Sequence, residues 1–160
     1  MRAEREYDVS PSALFAVLTD ETFLAERNAR YGGNGAPTVR RAGDDTVVTI
    51  PRQLPVDAVP AAFRRFVGSG AVVQTETWSP GADGGAGGSW TTEVRDSPLE
   101  LSGTQEVTTT AGGCRHVLTA KVKVSIPFVG GKAEAMVSEQ LADLVGKEQE
   151  FAAEWLARRP

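Results

Sequence analysis

The segment from Val122 to Val137, VKVSIPFVGGKAEAMV, changes its hydrophobic period near its middle. Up to Ile126 the apolar residues occupy every second position, which is typical of a strand with one buried face. Beyond Gly131 the spacing becomes helical. A strand that leads almost directly into a long terminal helix predicts a sheet that grips this helix around an apolar pocket, and the rest of the chain is placed around that unit.

Length and composition predict one folded domain. The chain has 160 residues, of which 41% are hydrophobic and 24% charged, close to the averages for globular proteins. A chain of this size can bury one substantial core but is too short for two comfortable domains. We therefore expect a single domain over residues 1–160.

Charge and hydropathy argue against several classes of function. The net charge is −4, from 17 basic and 21 acidic side chains, and the basic residues occur as scattered pairs such as Arg40-Arg41. A nucleic-acid-binding surface concentrates positive charge along one face, so nucleic acid is not an expected partner. No apolar run approaches the roughly 18 residues of a membrane span, and the amino terminus lacks the apolar stretch of a secretory signal. We expect a cytoplasmic protein without a membrane span, and its oligomeric state stays open.

Alternation along the last predicted strand, Cys114 to Ile126, separates a covered face from a solvated one. The covered face carries His116, Leu118, Ala120, Val122, Val124 and Ile126. The terminal helix has a matching apolar stripe with a period near 3.6. This stripe consists of Ala133, Val137, Leu141, Leu144, Val145, Phe151, Ala152, Trp155 and Leu156. We expect this helix, about 40 Å long at roughly 1.5 Å per residue, to cover the apolar face of the sheet.

The remaining segments predict one strand, two short helices and an antiparallel meander. Arg2 to Val9 alternates weakly, as a strand does, and Ser10-Pro11 supplies the N-cap and first residue of a helix. A second short helix ends at the turn-forming stretch YGGNGAP. A hairpin follows around residues 43–45, and VPAAFRRFVGSG reads as a short helix or ordered loop over the sheet. Turn residues then separate four strand candidates: Ala71–Trp78, Ser89–Arg95, Leu99–Thr110 and Cys114–Ile126.

This order of elements resembles the START-like superfamily, also called the SRPBCC or Bet v 1-like group. The resemblance covers essentially the whole chain and rests most specifically on KVSIPFVGGKAE followed by LADLVGKEQEFAAEWL. It is most similar to an uncharacterised bacterial branch, a domain of unknown function. The resemblance implies an α+β helix-grip fold, in which a curved antiparallel sheet of about six or seven strands wraps around the C-terminal helix, with two short helices after strand one. It also implies an apolar cavity of the kind used for lipids, sterols, polyketides and plant hormones.

If the covered faces line such a cavity, they supply the candidate ligand-binding residues. These are His116, Gln105, Trp90, Thr92, Leu118, Val122, Val137 and Leu141, with Phe63 and Phe66 near the open end. His116 and Gln105 would be hydrogen-bonding groups in an otherwise apolar space, and Trp90 a flat wall. The alternative for each is ordinary core packing, the more common role of a single histidine on an apolar face. Tyr31 and Phe128 fall at the same rim, where aromatic residues gate a pocket or, more often, seal a sheet edge.

The sequence contains few residues that could support catalysis or metal binding. Cys114 lies two residues from His116 on the same face, but no acidic residue is placed by sequence to orient the imidazole. One histidine and one cysteine cannot supply the three or four ligands that zinc prefers, and the glycine-rich stretches lack a complete phosphate-binding motif. We expect no cofactor and no metal, and we assign no catalytic residue.

Three functions remain open at this point. The first is a non-catalytic protein that binds or carries a hydrophobic small molecule, such as a lipid or polyketide, in the cavity. The second is an enzyme resembling polyketide cyclases and aromatases, in which His116 or Gln105 assists proton transfer. The third is a protein-interaction module whose core is filled by large side chains. We favour the first because the covered faces are apolar and no persuasive catalytic set is present.

Overall fold

A computed structural model describes residues 1–158, so that Arg159 and Pro160, the end of the expected domain, lie outside the described residues. The strands are β1 (Arg2–Tyr7), β2 (Thr38–Ala42), β3 (Asp45–Gln53), β4 (Ala71–Pro80), β5 (Ala86–Val94), β6 (Leu99–Thr110), β7 (Gly113–Thr119) and β8 (Lys121–Val124). The helices are α1 (Pro11–Leu18), α2 (Glu21–Arg30), α3 (Ala61–Arg64) and α4 (Gly130–Arg158), with 3-10 turns at Val56–Ala58 and Ala82–Gly84. None of the helices in this range has the length and hydrophobicity needed to cross a bilayer.

The strands form one antiparallel sheet in the order β1-β7-β6-β5-β4-β3-β2, with β8 paired to β6. Strands β2 to β7 are neighbours both along the chain and in space, which confirms the predicted six-stranded meander. The hairpin predicted around residues 43–45 joins β2 to β3, where Ala42 pairs with Asp45. Two short helices follow β1, and α4 packs across the curved sheet. The architecture is therefore the α+β helix-grip fold that the sequence resemblance implied.

Helices α1 and α2 begin at the residues whose side chains can cap them. The Ser10 hydroxyl accepts a hydrogen bond from the Ala13 amide at 3.2 Å, and the Asp20 carboxylate accepts one from the Phe23 amide at 2.8 Å. Both helices are short, and their stability comes mainly from packing of their apolar residues. Leu14 of α1 and Phe23 of α2 are completely buried in the larger of two core clusters.

Helix α4 joins the two core clusters. Its carboxyl-terminal part enters the larger one, where the Phe151 ring stacks on that of Phe23 with 5.6 Å between centroids. Its first turns enter the smaller cluster, where Ala133 packs with buried residues such as Val72 and Leu99 from β4 and β6. The middle of the helix, between these anchors, faces a space that neither core cluster fills, and this space is the candidate functional site.

The last predicted strand is wrong in one respect, because residues 114–126 do not form a single strand. The chain breaks at Ala120, whose amide and carbonyl both hydrogen-bond to Met1, and strand structure ends at Val124. At this corner the Thr119 carbonyl lies against Gly103 of β6, and a side chain at position 103 would collide with it. A glycine at this position allows β6 to pair with β7 over one part and β8 over the other.

Strand β5 also begins earlier than predicted, at Ala86 rather than Ser89. The predicted turn sequence includes Gly87 and Gly88, which lie within the strand. Gly88 pairs with Trp78 of β4, and a Cβ at position 88 would overlap the Thr77 carbonyl. Glycine at this position therefore reflects close approach of two strands rather than a turn.

Tyr7 ties the edge strand β1 to α4, and its hydroxyl gives a testable contribution to stability. The buried hydroxyl donates a hydrogen bond to the Gln149 carbonyl at 3.0 Å. Tyr7→Phe should lower the free energy of unfolding, measured by urea denaturation, by about 1 kcal/mol, the usual net value of such a bond. Tyr31→Phe is the matched control, because its hydroxyl makes an exposed contact of 3.4 Å with the Lys147 carbonyl. Equal losses in the two variants would contradict the buried link.

Candidate functional site

The main cavity lies between the sheet, α4 and the segment that follows β3. It has a volume of about 550 Å³ and is lined mostly by apolar side chains of β4 to β8 and α4. Seven of the ten sequence-predicted binding residues line it: Trp90, Thr92, Leu118, Val137, Leu141, Phe63 and Phe66. Tyr31 lines it as well. The faces chosen by alternation therefore converge on one space, which has the size and lining typical of small-molecule sites.

The other three predicted residues lie outside this lining. Val122 is partly buried and packs beside the smaller core cluster. His116 and Gln105 line a small cavity of about 30 Å³, large enough for a water molecule. This small cavity adjoins the main one, since Leu118 and Glu148 line both. That any of the ten residues contacts a ligand stays a prediction.

The rim aromatics behave in two different ways. Phe63, in α3, and Phe66, just after it, line the main cavity. Phe128, in the loop between β8 and α4, is fully exposed and has a positive φ of 66°. It therefore covers no part of the cavity and seals no sheet edge in this structure.

A buried ionic cluster of Arg27, Arg52, Glu76 and Glu148 lies where the two cavities meet. Its members come from α2, β3, β4 and α4, and each side chain is at most 13% exposed. Glu148 pairs with Arg52 at 2.7 Å and with Arg27 at 3.9 Å, and Arg27 also lies 3.9 Å from Glu76. The formal charges of the four side chains sum to zero, as a buried ionic group requires.

Neighbouring polar side chains hold the Glu76 carboxylate in place. It accepts hydrogen bonds from the Trp78 indole at 3.0 Å, the Gln105 amide at 2.9 Å and the Gln74 amide at 2.8 Å. Gln105, predicted as a ligand contact, thus already donates to Glu76. Three donors on one carboxylate satisfy most of its acceptor capacity and fix its orientation.

Glu148 remains ionised despite its burial. Loss of solvent opposes ionisation, but Arg27 and Arg52 outweigh this effect and hold the pKa of Glu148 below its usual value. For Arg52, burial lowers the pKa, but the neighbouring Glu148 carboxylate raises it by more, so the pKa of Arg52 lies above its usual value. The main cavity is therefore lined mostly by apolar side chains, and its inner end, where it meets the small cavity, bears a charged cluster that is neutral overall.

His116 and Cys114 lack the environment of a catalytic pair. Burial, followed by the nearby Arg27 cation, lowers the pKa of His116 to about 4, so the imidazole is neutral at physiological pH. Its Nδ1 lies 3.4 Å from the Gln149 amide nitrogen, and no partner is found for Nε2 among residues 1–158. Burial raises the pKa of the Cys114 thiol, which disfavours the reactive thiolate.

Sequence reasoning missed the ionic cluster, although part of its signal was present. Glu148 and Gln149 follow Val145 by three and four residues, so they fall on the apolar stripe of α4. Arg52 continues the alternation of Val48 and Ile50 in β3, which places it on the covered face. A charged residue at a position that periodicity assigns to the core is itself an indication of a buried polar site.

Comparisons with known proteins give a family and a fold. A family model described as "Protein of unknown function (DUF2505)" matches residues 2–156. A Mycobacterium tuberculosis protein described as uncharacterized is 38% identical over 88 residues, 54% of this chain and 51% of the relative. The chain thus aligns with about half the length of that curated relative.

Two solved structures show the same architecture at low identity. A START superfamily protein from Mycobacterium smegmatis is 11% identical, with a TM-score of 0.58 over 98% of this chain and 97% of that one. The di-domain ARO/CYC StfQ from the steffimycin biosynthetic pathway is 12% identical, with a TM-score of 0.65 over 98% of this chain and 51% of that one. At these identities the likeness establishes the START-like fold.

Proposed function

Because the chain belongs to the family described as DUF2505 and has the START-like fold, we propose that it binds a hydrophobic small molecule in the main cavity. The observation that carries this proposal is the space of about 550 Å³ beside α4 and its mostly apolar lining. The ligand belongs to the lipid or polyketide class, because these molecules combine a large apolar surface with a few polar groups, as the lining of the cavity does.

The energetics of the cavity support occupancy. At about 24 cal/mol per Å³, the value for engineered core holes, a void of this volume would cost about 13 kcal/mol. That figure equals the whole stability of a typical domain, about 5 to 15 kcal/mol, so the space holds solvent or a ligand. An apolar ligand stabilises the folded state further, because it removes both its own surface and the Leu141 wall from water.

The enzymatic alternative has less support. A histidine with a pKa of about 4 is a weak base and carries no proton to donate near neutral pH. Gln105, the other residue considered for proton transfer, is held by Glu76. A filled-core interaction module also fits poorly, because large side chains do not fill the space beside α4. We therefore propose binding or carriage without chemistry.

The direct experiment is extraction of the purified protein followed by mass spectrometry. An apolar compound present in about one copy per chain would support the proposal. A panel of lipids and polyketides should also raise the melting temperature, since a ligand that binds only the folded state stabilises it. If nothing is extracted and no compound in the panel changes the melting temperature, the proposal is wrong.

Leu141→Trp tests whether binding occurs in the main cavity. Leu141 lies on the cavity-facing side of α4, so an indole there occupies space that a ligand needs. We expect affinity for the neutral fluorescent probe N-phenyl-naphthylamine to fall at least about tenfold, measured by titration. Ala142→Trp, at the exposed neighbouring position of the same helix, is the matched control and should bind as the wild type does. Equal affinities in both variants would place the probe elsewhere.

A further inference from the structure

The ionic cluster at the inner end of the main cavity is balanced in charge but not in hydrogen bonding. Its two guanidinium groups carry ten N–H donors in total. Among residues 1–158, Nε and Nη2 of Arg27 and Nε and Nη1 of Arg52 are buried without a hydrogen-bond partner. The Arg52 contact of 2.7 Å with Glu148 is an ion pair whose geometry does not satisfy these donors. Within the described part of the chain, Glu148 Oε1, 2.7 Å from Arg52 Nη1, also lacks a hydrogen-bond partner of good geometry, so the cluster is neutral in charge but incompletely hydrogen-bonded.

Of the two arginines, Arg52 lies in the wall of the main cavity, whereas Arg27 lines the small one. The Arg52 side chain is 10% exposed, and it shares the wall of the main cavity with apolar side chains of β4 to β8. The other charged residues of the lining do not alter the balance, because Arg30 and Asp143 have opposite charges and are more than half exposed. A bound molecule therefore meets the Arg52 guanidinium through Nη2, which is not among the buried, unpartnered nitrogens, in surroundings with no excess positive charge.

We infer that the ligand carries an uncharged oxygen acceptor, such as a ketone, ester or amide carbonyl, at the end that meets Arg52. This inference rests on the proposed function and specifies the ligand class. A carbonyl oxygen accepts hydrogen bonds from guanidinium without a change in the net charge of the cluster.

Two other kinds of ligand end, a carboxylate and a plain hydrocarbon, are disfavoured for different reasons. A carboxylate would add a third negative charge to two cations and two anions in a space with little solvent, so its loss of hydration would not be recovered. A plain hydrocarbon would keep water from the arginine donors and offer them nothing in return.

Three small molecules with alkyl chains of similar length distinguish a neutral acceptor, a carboxylate and a plain hydrocarbon end: methyl tridecyl ketone, tetradecanoate and pentadecane. Each is titrated as a competitor of N-phenyl-naphthylamine at about pH 8, where the acid is ionised. The ketone and the acid have the same number of heavy atoms, so that the head group is the main difference between them. We expect the ketone to displace the probe at a concentration about tenfold lower than either of the others.

Arg52→Lys assigns the preference to this side chain, because lysine keeps the charge opposite Glu148 but loses the planar set of donors. The advantage of the ketone over pentadecane should fall to less than about threefold. Arg40→Lys, on an exposed residue of β2, is the matched control and should retain the full advantage. Circular dichroism confirms that each variant is folded, and the wild-type comparison stands without the variants.

Each result of these titrations supports or contradicts a particular part of the inference. Tighter binding of tetradecanoate than of the ketone, or equal binding of ketone and pentadecane, overturns the neutral-acceptor inference while ligand binding itself stands. An unchanged ketone preference in Arg52→Lys overturns the assignment to Arg52. Failure of the probe and of all three small molecules to bind contradicts the proposed function, and the inference with it.

Discussion

Replacing Glu148 with alanine is expected to lower the free energy of unfolding by about 3 to 5 kcal/mol, the cost of removing one partner from a buried ion pair. The substitution leaves Arg52, whose side chain is 10% exposed, without its contact at 2.7 Å. It also leaves Arg27 with a single carboxylate, that of Glu76 at 3.9 Å. The loss exceeds the value of the pair itself, because an uncompensated cation then remains in a poorly solvated site.

Two further variants separate charge from helix effects. Glu150→Ala removes an exposed glutamate two residues further along α4 and should change stability by less than about 0.5 kcal/mol. Glu148→Gln keeps the shape and one acceptor but loses the charge, so it should fall between the two alanine variants. Urea denaturation gives all three values. If Glu148→Ala lowers the free energy of unfolding as little as Glu150→Ala does, the cluster does not depend on Glu148. The description of the inner end as a neutral ionic cluster is then wrong.

Periodicity within single elements was sufficient to predict most strands and helices and much of the cavity wall, whereas the helix-grip arrangement of these elements came from the resemblance to the START-like superfamily. The change of period within Val122–Val137 identified α4 and the strand before it. Alternation in β5 put Trp90 and Thr92 on one face, and both line the main cavity. These predictions succeed because burial of one face is a local property that the order of residues records.

The ionic cluster was beyond this reasoning for two physical reasons. Strand β4 carries Val72, Gln74, Glu76 and Trp78 toward the interior, so its buried face mixes polar and apolar residues and shows no clear alternation. The partners of Glu76 and Glu148 also come from distant segments, and pairing between such segments depends on the assembled sheet and not on local pattern. The same applies to the corner at Gly103, which depends on the approach of the Thr119 carbonyl.

Acid should destabilise the fold well above the pH at which carboxylates titrate, because His116 is buried in its neutral form. Its pKa falls from an ordinary value of 6.5 to about 4 in the folded state, through burial first and Arg27 second. As the pH falls below 6.5, the unfolded chain takes up a proton that the folded chain does not. The stability present above that pH is therefore lost progressively, by about 2 kcal/mol at pH 5 and about 3 kcal/mol at pH 4.

The chain makes this prediction unusually direct, because His116 is its only histidine. No other side chain has an ordinary pKa between about 5 and 7, so a slope of stability with pH in that interval reports on His116 alone. Urea denaturation at closely spaced pH values should show the slope in the wild type and its absence in His116→Gln. Below about pH 4.5, both proteins should lose further stability, because Glu148 in the unfolded chain then takes up a proton that the folded carboxylate, whose pKa is lowered, resists. A wild-type stability that is flat from pH 6.5 to pH 5 would mean that the imidazole reaches solvent, and the small cavity beside the ionic cluster would then be open.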